Sequence, residues 1–458
     1  MSVAERTPDL PTAETLPGHL ARLAFPVLGE KLLVFGIDFY DVYLAGQLGT
    51  AETSAIGMAG YVAWMASLWF DLVQVGVAAL VARSWGAGQF EQAQRILARS
   101  LWLGIGLSLA VWTLLQCLAP LFALSMGLEG DAPRIVVHYL RWDAYGQVFS
   151  CLTMICAAAL RATGDTRTPL AVLAITNLVN IVAATSLVFG WGPLPSLGVT
   201  GIVFGSLIAK ASALVLMVAA LTSNVTWLHL DWGEIRWHRE TALRVVRVGG
   251  PAALEGTLKF AGHFLFLMVV AHLPGPGLKE AFLAAHFIGC RVEAVSYQPA
   301  WAWGIASASL AGRLLGATSP DVALQTGKIA VRQFLWYPML IAVAFFFGAE
   351  PMFHAMHKDP EVARVGVAAF RLMALYQVPN AFLIIYFNTL IGAGDTRFPM
   401  WCSLTCSLGV RVPVAYLCGV VLEGGLFGAW IGMGADNLTR AALMTWRYHA
   451  GRWIHTKV

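Results

Sequence analysis

The sequence predicts an all-α integral membrane protein: about twelve transmembrane helices in two six-helix lobes, related by a pseudo-two-fold axis along the membrane normal. Three observations carry this. The 458-residue chain is 58% hydrophobic and 12% charged, with a mean hydropathy of +0.67, whereas soluble chains carry about 25% charge. Its apolar runs reach the roughly 20 residues that a spanning helix needs. Its landmarks also occur twice, in one order, at a nearly constant spacing.

The most distinctive landmark is a polar turn between apolar runs. Arg161-Ala162-Thr163-Gly164-Asp165-Thr166-Arg167-Thr168-Pro169 returns as Ile391-Gly392-Ala393-Gly394-Asp395-Thr396-Arg397-Phe398-Pro399, with Asp165 and Asp395 230 positions apart. Gly164 and Gly394 are suited to end one helix. The Asp or Thr that follows is suited to cap the next, with Pro early in it, where a missing N–H costs little. Arg167 and Arg397 place both turns at a membrane surface, because a guanidinium is costly in hydrocarbon. Arg83-Ser84-Trp85-Gly86-Ala87 matches Arg313-Leu314-Leu315-Gly316-Ala317 at a spacing of 230, and Gly198-Val199-Thr200-Gly201 matches Gly425-Leu426-Phe427-Gly428 at 227. Pro26 and Pro251 lie 225 apart, and Glu30 and Glu255 each follow four residues later.

Residues 1–18 read as a polar cytoplasmic tail without a cleavable signal peptide. Spanning runs follow at roughly 20–46, 53–82, 96–120, 134–160, 168–190 and 197–222, within a first lobe of 19–225. The basic stretch 226–247 is expected to be an amphipathic surface linker. A second lobe, 248–448, holds runs at roughly 248–272, 279–312, 326–350, 362–391, 397–421 and 425–448, and 449–458 is a second tail. Six is even, so both lobes start on one side and are parallel repeats. Sixteen Lys or Arg from Arg83 to Lys457 fall on one set of connectors, and six, among them Arg134 and Lys358, on the other. The positive-inside rule then places both termini in the cytoplasm, with the chain in a bacterial cytoplasmic membrane. The seven cysteines lie in apolar runs without metal-like spacing, so they read as small core residues.

The doubled Gly-Asp-Thr-Arg turn and the doubled Gly-Ala loop are joined by two further stretches, Asp41-Val42-Tyr43-Leu44-Ala45-Gly46-Gln47-Leu48-Gly49 and Ala285-His286-Phe287-Ile288-Gly289-Cys290-Arg291-Val292-Glu293-Ala294-Val295-Ser296-Tyr297-Gln298-Pro299. As a set they resemble the multidrug and toxic compound extrusion (MATE) family over about residues 20–448. The resemblance implies a twelve-helix, two-lobed fold in a wider group that includes lipid-linked oligosaccharide flippases. It implies export of organic, often cationic, compounds, driven by inward proton or sodium flow, with no other cofactor.

Alternating access needs an ion site whose occupancy biases two packings of the lobes. A carboxyl group in hydrocarbon supplies one, because burial favours the protonated form. Asp41 matches the family's first-helix Asp and is the leading candidate, with sodium as the only metal ion expected there. Asp38, three residues earlier, shares its helix face. Asn177 and Asn180 share a face of the fifth helix, with amides suited to hydrogen-bond the Asp41 carboxylate, a role the resemblance gives to Asn180. Many relatives read Asn-Ile-Val-Leu-Asp where this chain has Asn180-Ile181-Val182-Ala183-Ala184, so a second carboxylate is missing from that site. In the second lobe Lys259 stands where one family branch has Glu, one turn after Glu255. The two either pair and neutralise each other, or Lys259 is a tethered cation that releases Glu255 when protons arrive. Glu293 in the eighth helix is a further ion-coupling candidate. Tyr40, Gln377, Asn380, Arg291 and His286 are candidates for the substrate cavity, Asn380 standing where relatives often carry Asp. His263, His272 and His286 lie in or beside membrane runs, where a lone His is commonly a satisfied hydrogen-bonder.

The leading reading is a secondary active exporter of amphipathic organic cations, a monomer whose partners are membrane lipid and small organic molecules. A lipid-linked intermediate flippase calls for a basic cavity, and intramembrane cations are few: Lys210, Lys259, Arg291 and Arg411. An intramembrane transferase would need acid or His clusters on long loops, which the basic linker lacks. The chain carries no GxxxxGK[ST] motif for ATP drive, and its charge of +4 reads as topology, not nucleic-acid binding.

Overall fold

The computed structural model describes residues 10–125, 132–191, 195–223, 225–275 and 277–456, which are helical or connecting, with no strand among them. Residues 1–9 of the first predicted tail and 457–458 of the second lie outside the described residues. Leu16–Leu48 forms α1, so the helix starts inside the predicted tail. The Thr15 hydroxyl helps begin it by accepting the Thr12 N–H at 3.0 Å.

Helices α2 (Thr50–Ser67) and α3 (Asp71–Gly86) form the second passage, joined by a 3₁₀ turn at Leu68–Phe70. They are followed by α4 (Phe90–Ser125), α5 (Ala132–Thr163), α6 (Arg167–Phe189) and α7 (Val199–Thr222). The seventh passage, α8, is Arg239–Ala271. Positions 239–247, read from sequence as linker, are thus its first turns. Between α7 and α8 a 3₁₀ turn, Trp232–Glu234, is tied to α4 by Arg99, whose guanidinium donates to Glu234 Oε2 at 2.9 and 2.7 Å. This contact holds the Glu234 carboxyl below the usual carboxylate range.

The second half continues with α9 (Lys279–Gly316), then α10 (Pro320–Phe334) and α11 (Trp336–Met356), then α12 (Pro360–Leu375) and α13 (Gln377–Gly392). The sequence reads α10–α11 and α12–α13 as single runs. The first helix of each pair ends at Phe334 or Leu375, four residues before Pro338 or Pro379, where a proline ring clashes with a helical carbonyl; the second break bends the passage by 54°. In the eleventh passage α14 (Arg397–Cys406) and α15 (Val412–Tyr416) alternate with π-helical turns at Ser407–Arg411 and Leu417–Val421. Gly425–His449 is α16. Among the described residues eight helices are long and apolar enough to cross a membrane, nine if α12–α13 counts as one span. The other long helices, α1, α9 and α16, carry Asp38 and Asp41, Arg291 and Glu293, and Asp436 and Arg440, and so read as less apolar.

The chain divides into two compact units. Phe25–Ala253 forms the first, and Pro11–Ala24 joins the second, which runs on from Leu254. The divisions fall beside Pro26 and Pro251, the repeated prolines. Each unit has its own core, with Leu80, Leu97, Leu140 and Ile155 in the first and Phe266, Phe353, Phe370 and Trp430 in the second.

The repeated landmarks have repeated structures. Asp165 N–H donates to Leu160 O at 3.0 Å, and Asp395 N–H to Leu390 O at 2.9 Å. The intervening Gly164 and Gly394 take φ of 97° and 92°, where a side chain is strained. Gly201 and Gly205 on α7 match Gly428 and Gly432 on α16. A Cβ on Gly201 would lie 2.7 Å from the Leu187 backbone, and one on Gly428 2.2 Å from Cys418 O. Small residues thus let α7 press on α6, and α16 on the π turn, at backbone distance, a packing that gains contact where lipid offers no hydrophobic drive.

Candidate functional site

In the first unit α1 carries Asp41 against α6 and α7. Ser206 Oγ on α7 donates to Asp41 Oδ2 at 3.4 Å, and Asn180 Nδ2 on α6 donates to Ser206 Oγ at 3.4 Å. The expected Asn180–Asp41 contact therefore runs through a serine that sequence reasoning did not single out. Asp41 Oδ1 and Asn180 Oδ1 are buried acceptors with no hydrogen-bond partner among the described residues. Asn177 does not join them: its amide donates to Leu33 O on α1 at 2.8 Å, anchoring the helix that holds Asp41. Asp38 is exposed, and its charge reaches Asp41, as do those of Lys210 and Asp143. Tyr40 OH lies 2.5 Å from Thr185 Oγ1, which ties α1 to α6 one residue before Asp41.

Two buried residues of α5 were missed. Lys210 Nζ on α7 meets Asp143 Oδ1 at 2.5 Å, and Gln147 Nε2 donates to Asp143 Oδ2 at 2.7 Å. The signal was available: Lys210 is the lone charge in the run 197–222, and Asp143 the lone acid in 134–160. An acid and an ammonium, each the lone one of its sign in an apolar run, need a partner.

In the second unit Glu255 and Lys259 do pair, at 3.6 Å. Glu255 Oε1 also accepts from Ser403 Oγ at 2.6 Å, and Lys259 lies over the Phe387 and Trp301 rings at 5.5 and 5.9 Å, within cation–π range. Glu293 is buried while Arg291 is exposed, as their spacing of two requires. Glu293 neighbours Gln377 and senses the charge of Arg411. Gln377 accepts from Ser296 Oγ and donates to Met373 O at 3.1 Å. Asn380 is buried one turn further on, and His286 is fully buried, its ring centroid 5.8 Å from that of His263 and 5.9 Å from that of Trp430. Asp436, which sequence reasoning passed over, is clamped between Arg411 at 2.5 Å and Arg440 at 2.7 Å.

The repeated turns share a backbone but not their side-chain bonds. Asp165 Oδ1 accepts the Arg167 and Thr168 N–H groups at 3.2 and 3.0 Å, capping α6, while Thr166 makes no cap bond. Asp395 instead accepts from Arg447 at 2.8 Å. Arg167 and Arg397 are both exposed.

A family model described as MatE matches residues 26–185 and 251–417, most of the chain and both repeats. The chain belongs to the MatE family. Similar proteins cover most of its length: a probable multidrug resistance protein NorM of Thermotoga maritima is 27% identical over 95% of this chain and 92% of its own. A FAD transporter of Shewanella oneidensis is 26% identical over 75% of each. Among solved structures, a MOP-superfamily transporter of Pyrococcus furiosus superimposes with a TM-score of 0.88 at 18% identity, covering 98% of this chain and 100% of that one. An outward-facing multidrug-resistance MATE transporter gives 0.87 at 19% identity, covering 97% and 100%. These likenesses establish the MATE fold. Family membership makes the chain a membrane-embedded transporter of the multidrug efflux class, not an enzyme.

Proposed function

We propose that the protein exports amphipathic organic cations by alternating access in exchange for protons or sodium, with Asp41 as the coupling carboxylate. The observation that carries this is the pair of buried, donor-less acceptors, Asp41 Oδ1 and Asn180 Oδ1. A buried acceptor without a donor costs about 1–3 kcal/mol, so a proton or small cation is favoured there. Loading and unloading it changes the charge of α1 and supplies the bias that alternating access needs. The sign of connector charge supports termini in the cytoplasm of a bacterial inner membrane, so inward ion flow drives outward substrate flow. Asp38 tunes the charge of the site, and Glu255 with Lys259 and Glu293 with Gln377 stand as the second unit's ion-coupling candidates.

The test is accumulation of ethidium and a panel of further organic cations in an exporter-deficient host. FAD is included because one relative is named as its transporter. Lowered accumulation of cations supports the reading. Unchanged accumulation across the panel, with altered envelope lipids, overturns it in favour of a lipid-intermediate flippase.

A further inference from the structure

In the first unit one ammonium is bonded to Asp143, and its charge also acts on Asp41. Lys210 sits on α7 one turn after Ser206, so the hydroxyl that reaches Asp41 and the ammonium that reaches Asp143 share a helix face. Both oxygens of Asp143 are taken, one by Lys210 at 2.5 Å and one by Gln147 at 2.7 Å. Asp41 has one oxygen taken and one buried and unpartnered. The charges facing Asp41 are Asp38 on its own helix, Asp143 on α5 and Lys210 on α7, and the buried hydroxyl of Tyr139 on α5 senses all three carboxylates. Room for the lysine is built in: a Cβ on Gly146 would fall 2.8 Å from Lys210 Cδ and 3.3 Å from Nζ. The position of the missing second carboxylate, Ala184, is packed at backbone distance by Gly205, on which a Cβ would fall 2.5 Å from Ala184 Cα.

We propose that Lys210 is a tethered cation exchanged between Asp143 and Asp41, which makes the first-unit site respond to protons and exclude sodium. This rests on Asp41 being the coupling carboxylate. With Asp41 protonated, the ammonium stays on Asp143, the contact that the structure holds. When Asp41 gives its proton to water on the open side, the new carboxylate competes for Lys210, and Gln147 remains to hold Asp143. No bond to carbon changes; one proton leaves and one ammonium shifts. A proton neutralises Asp41 directly, whereas a sodium ion needs a shell of oxygens and would sit beside an ammonium. One unit charge a helical turn away alters cation affinity by roughly a hundredfold at an effective dielectric of about 20.

The experiment uses the full chain, purified and reconstituted. Thermal unfolding midpoints are read in NaCl against choline chloride at equal ionic strength, and ethidium efflux is driven by a pH gradient or a sodium gradient alone. The native protein should show equal midpoints in the two salts and efflux under the pH gradient only. Lys210→Met should gain a sodium-dependent rise in midpoint and a sodium-driven rate at least about tenfold above native, given the charge effect above. Lys210→Arg, which keeps the charge, should stay indifferent to sodium. Should Lys210→Met fail to fold, the Asp143→Asn/Lys210→Met pair removes both charges together, avoiding an uncompensated buried ion, and should gain the same sodium response. Sodium-dependent stabilisation of the native protein, or no sodium response in either variant, overturns the proposal. If Asp41→Asn transports normally, the underlying reading of Asp41 fails; if transport needs Asp41 but is blind to Lys210, only the tethered-cation proposal fails.

Discussion

Thr318 occupies in the second half the place that Gly88 occupies in the first: φ is 56° at Thr318 and 72° at Gly88. The backbone around them is the same, with Gln89 N–H donating to Ser84 O and Ser319 N–H to Leu314 O, both at 2.9 Å. A β-branched residue in the left-handed region is strained by about 1 kcal/mol or more. Thr318→Gly should therefore stabilise the protein by about that amount, read as a higher unfolding midpoint in detergent, and Gly88→Thr should lower it. Equal midpoints for all three proteins would contradict the strain.

The glycine contacts give a second outcome. Gly428→Ala forces a methyl against Cys418 O, which lies 2.2 Å from the Cβ position, and overpacking of this kind costs about 1–3 kcal/mol. Gly106→Ala in α4 meets nothing within 4 Å and should be neutral or gain up to about 1 kcal/mol of helix propensity. Unfolding in a denaturant series separates the two, and similar effects at both positions would count against backbone-distance packing of α16.

Asp436 is fully buried between two guanidiniums. Asp436→Asn leaves both without a counter-charge, so a loss of about 3–5 kcal/mol is expected. Replacing Asp436, Arg411 and Arg440 together by Leu or Met should recover most of the stability, as hydrophobic substitutes for buried ion groups commonly do. Whether transport survives in the triple variant then tells structure from mechanism: loss of ethidium efflux in a stable protein would give the triad a role in transport.

Outside the membrane, the Arg99–Glu234 contact predicts a pH dependence. Bonding to Arg99 lowers the Glu234 carboxyl below its ordinary value of 4.5. A carboxyl lowered on folding stabilises the native state above its unfolded value, and that contribution is lost as pH falls through the folded value. The midpoint difference between the native protein and Glu234→Gln should be present at neutral pH and vanish in acid below the ordinary range. A constant difference across that window would show that the contact does not depend on the carboxylate's charge.

Most of the fold was legible because the repeat and the apolar lengths are properties of single residues in line: Gly164 and Gly394 needed positive φ, and both took it. The helix breaks at Leu335 and Tyr376 were hidden inside continuous runs with no glycine or polar turn at the break; only Pro338 and Pro379 marked them. The site was half legible. Asp41 stands out as an acid in a greasy helix, and the Glu255–Lys259 pair follows from helical spacing. Ser206 and the Arg411–Asp436 contact depend on which helices touch, and single-chain periodicity carries no such information. Asn177 shares a face with Asn180, but a shared face fixes direction and not distance, and its amide found the Leu33 carbonyl first.

The claim on which the rest depends is that Asp41 carries the driving ion. The direct test is ethidium efflux from proteoliposomes of the native protein and of Asp41→Asn, with imposed proton and sodium gradients applied separately. Gradient-driven efflux by the native protein, and its abolition in an Asp41→Asn protein that reconstitutes to the same level, is the expected result. Gradient-driven efflux by Asp41→Asn at the native rate would contradict it and move the ion site to Glu255 or Glu293.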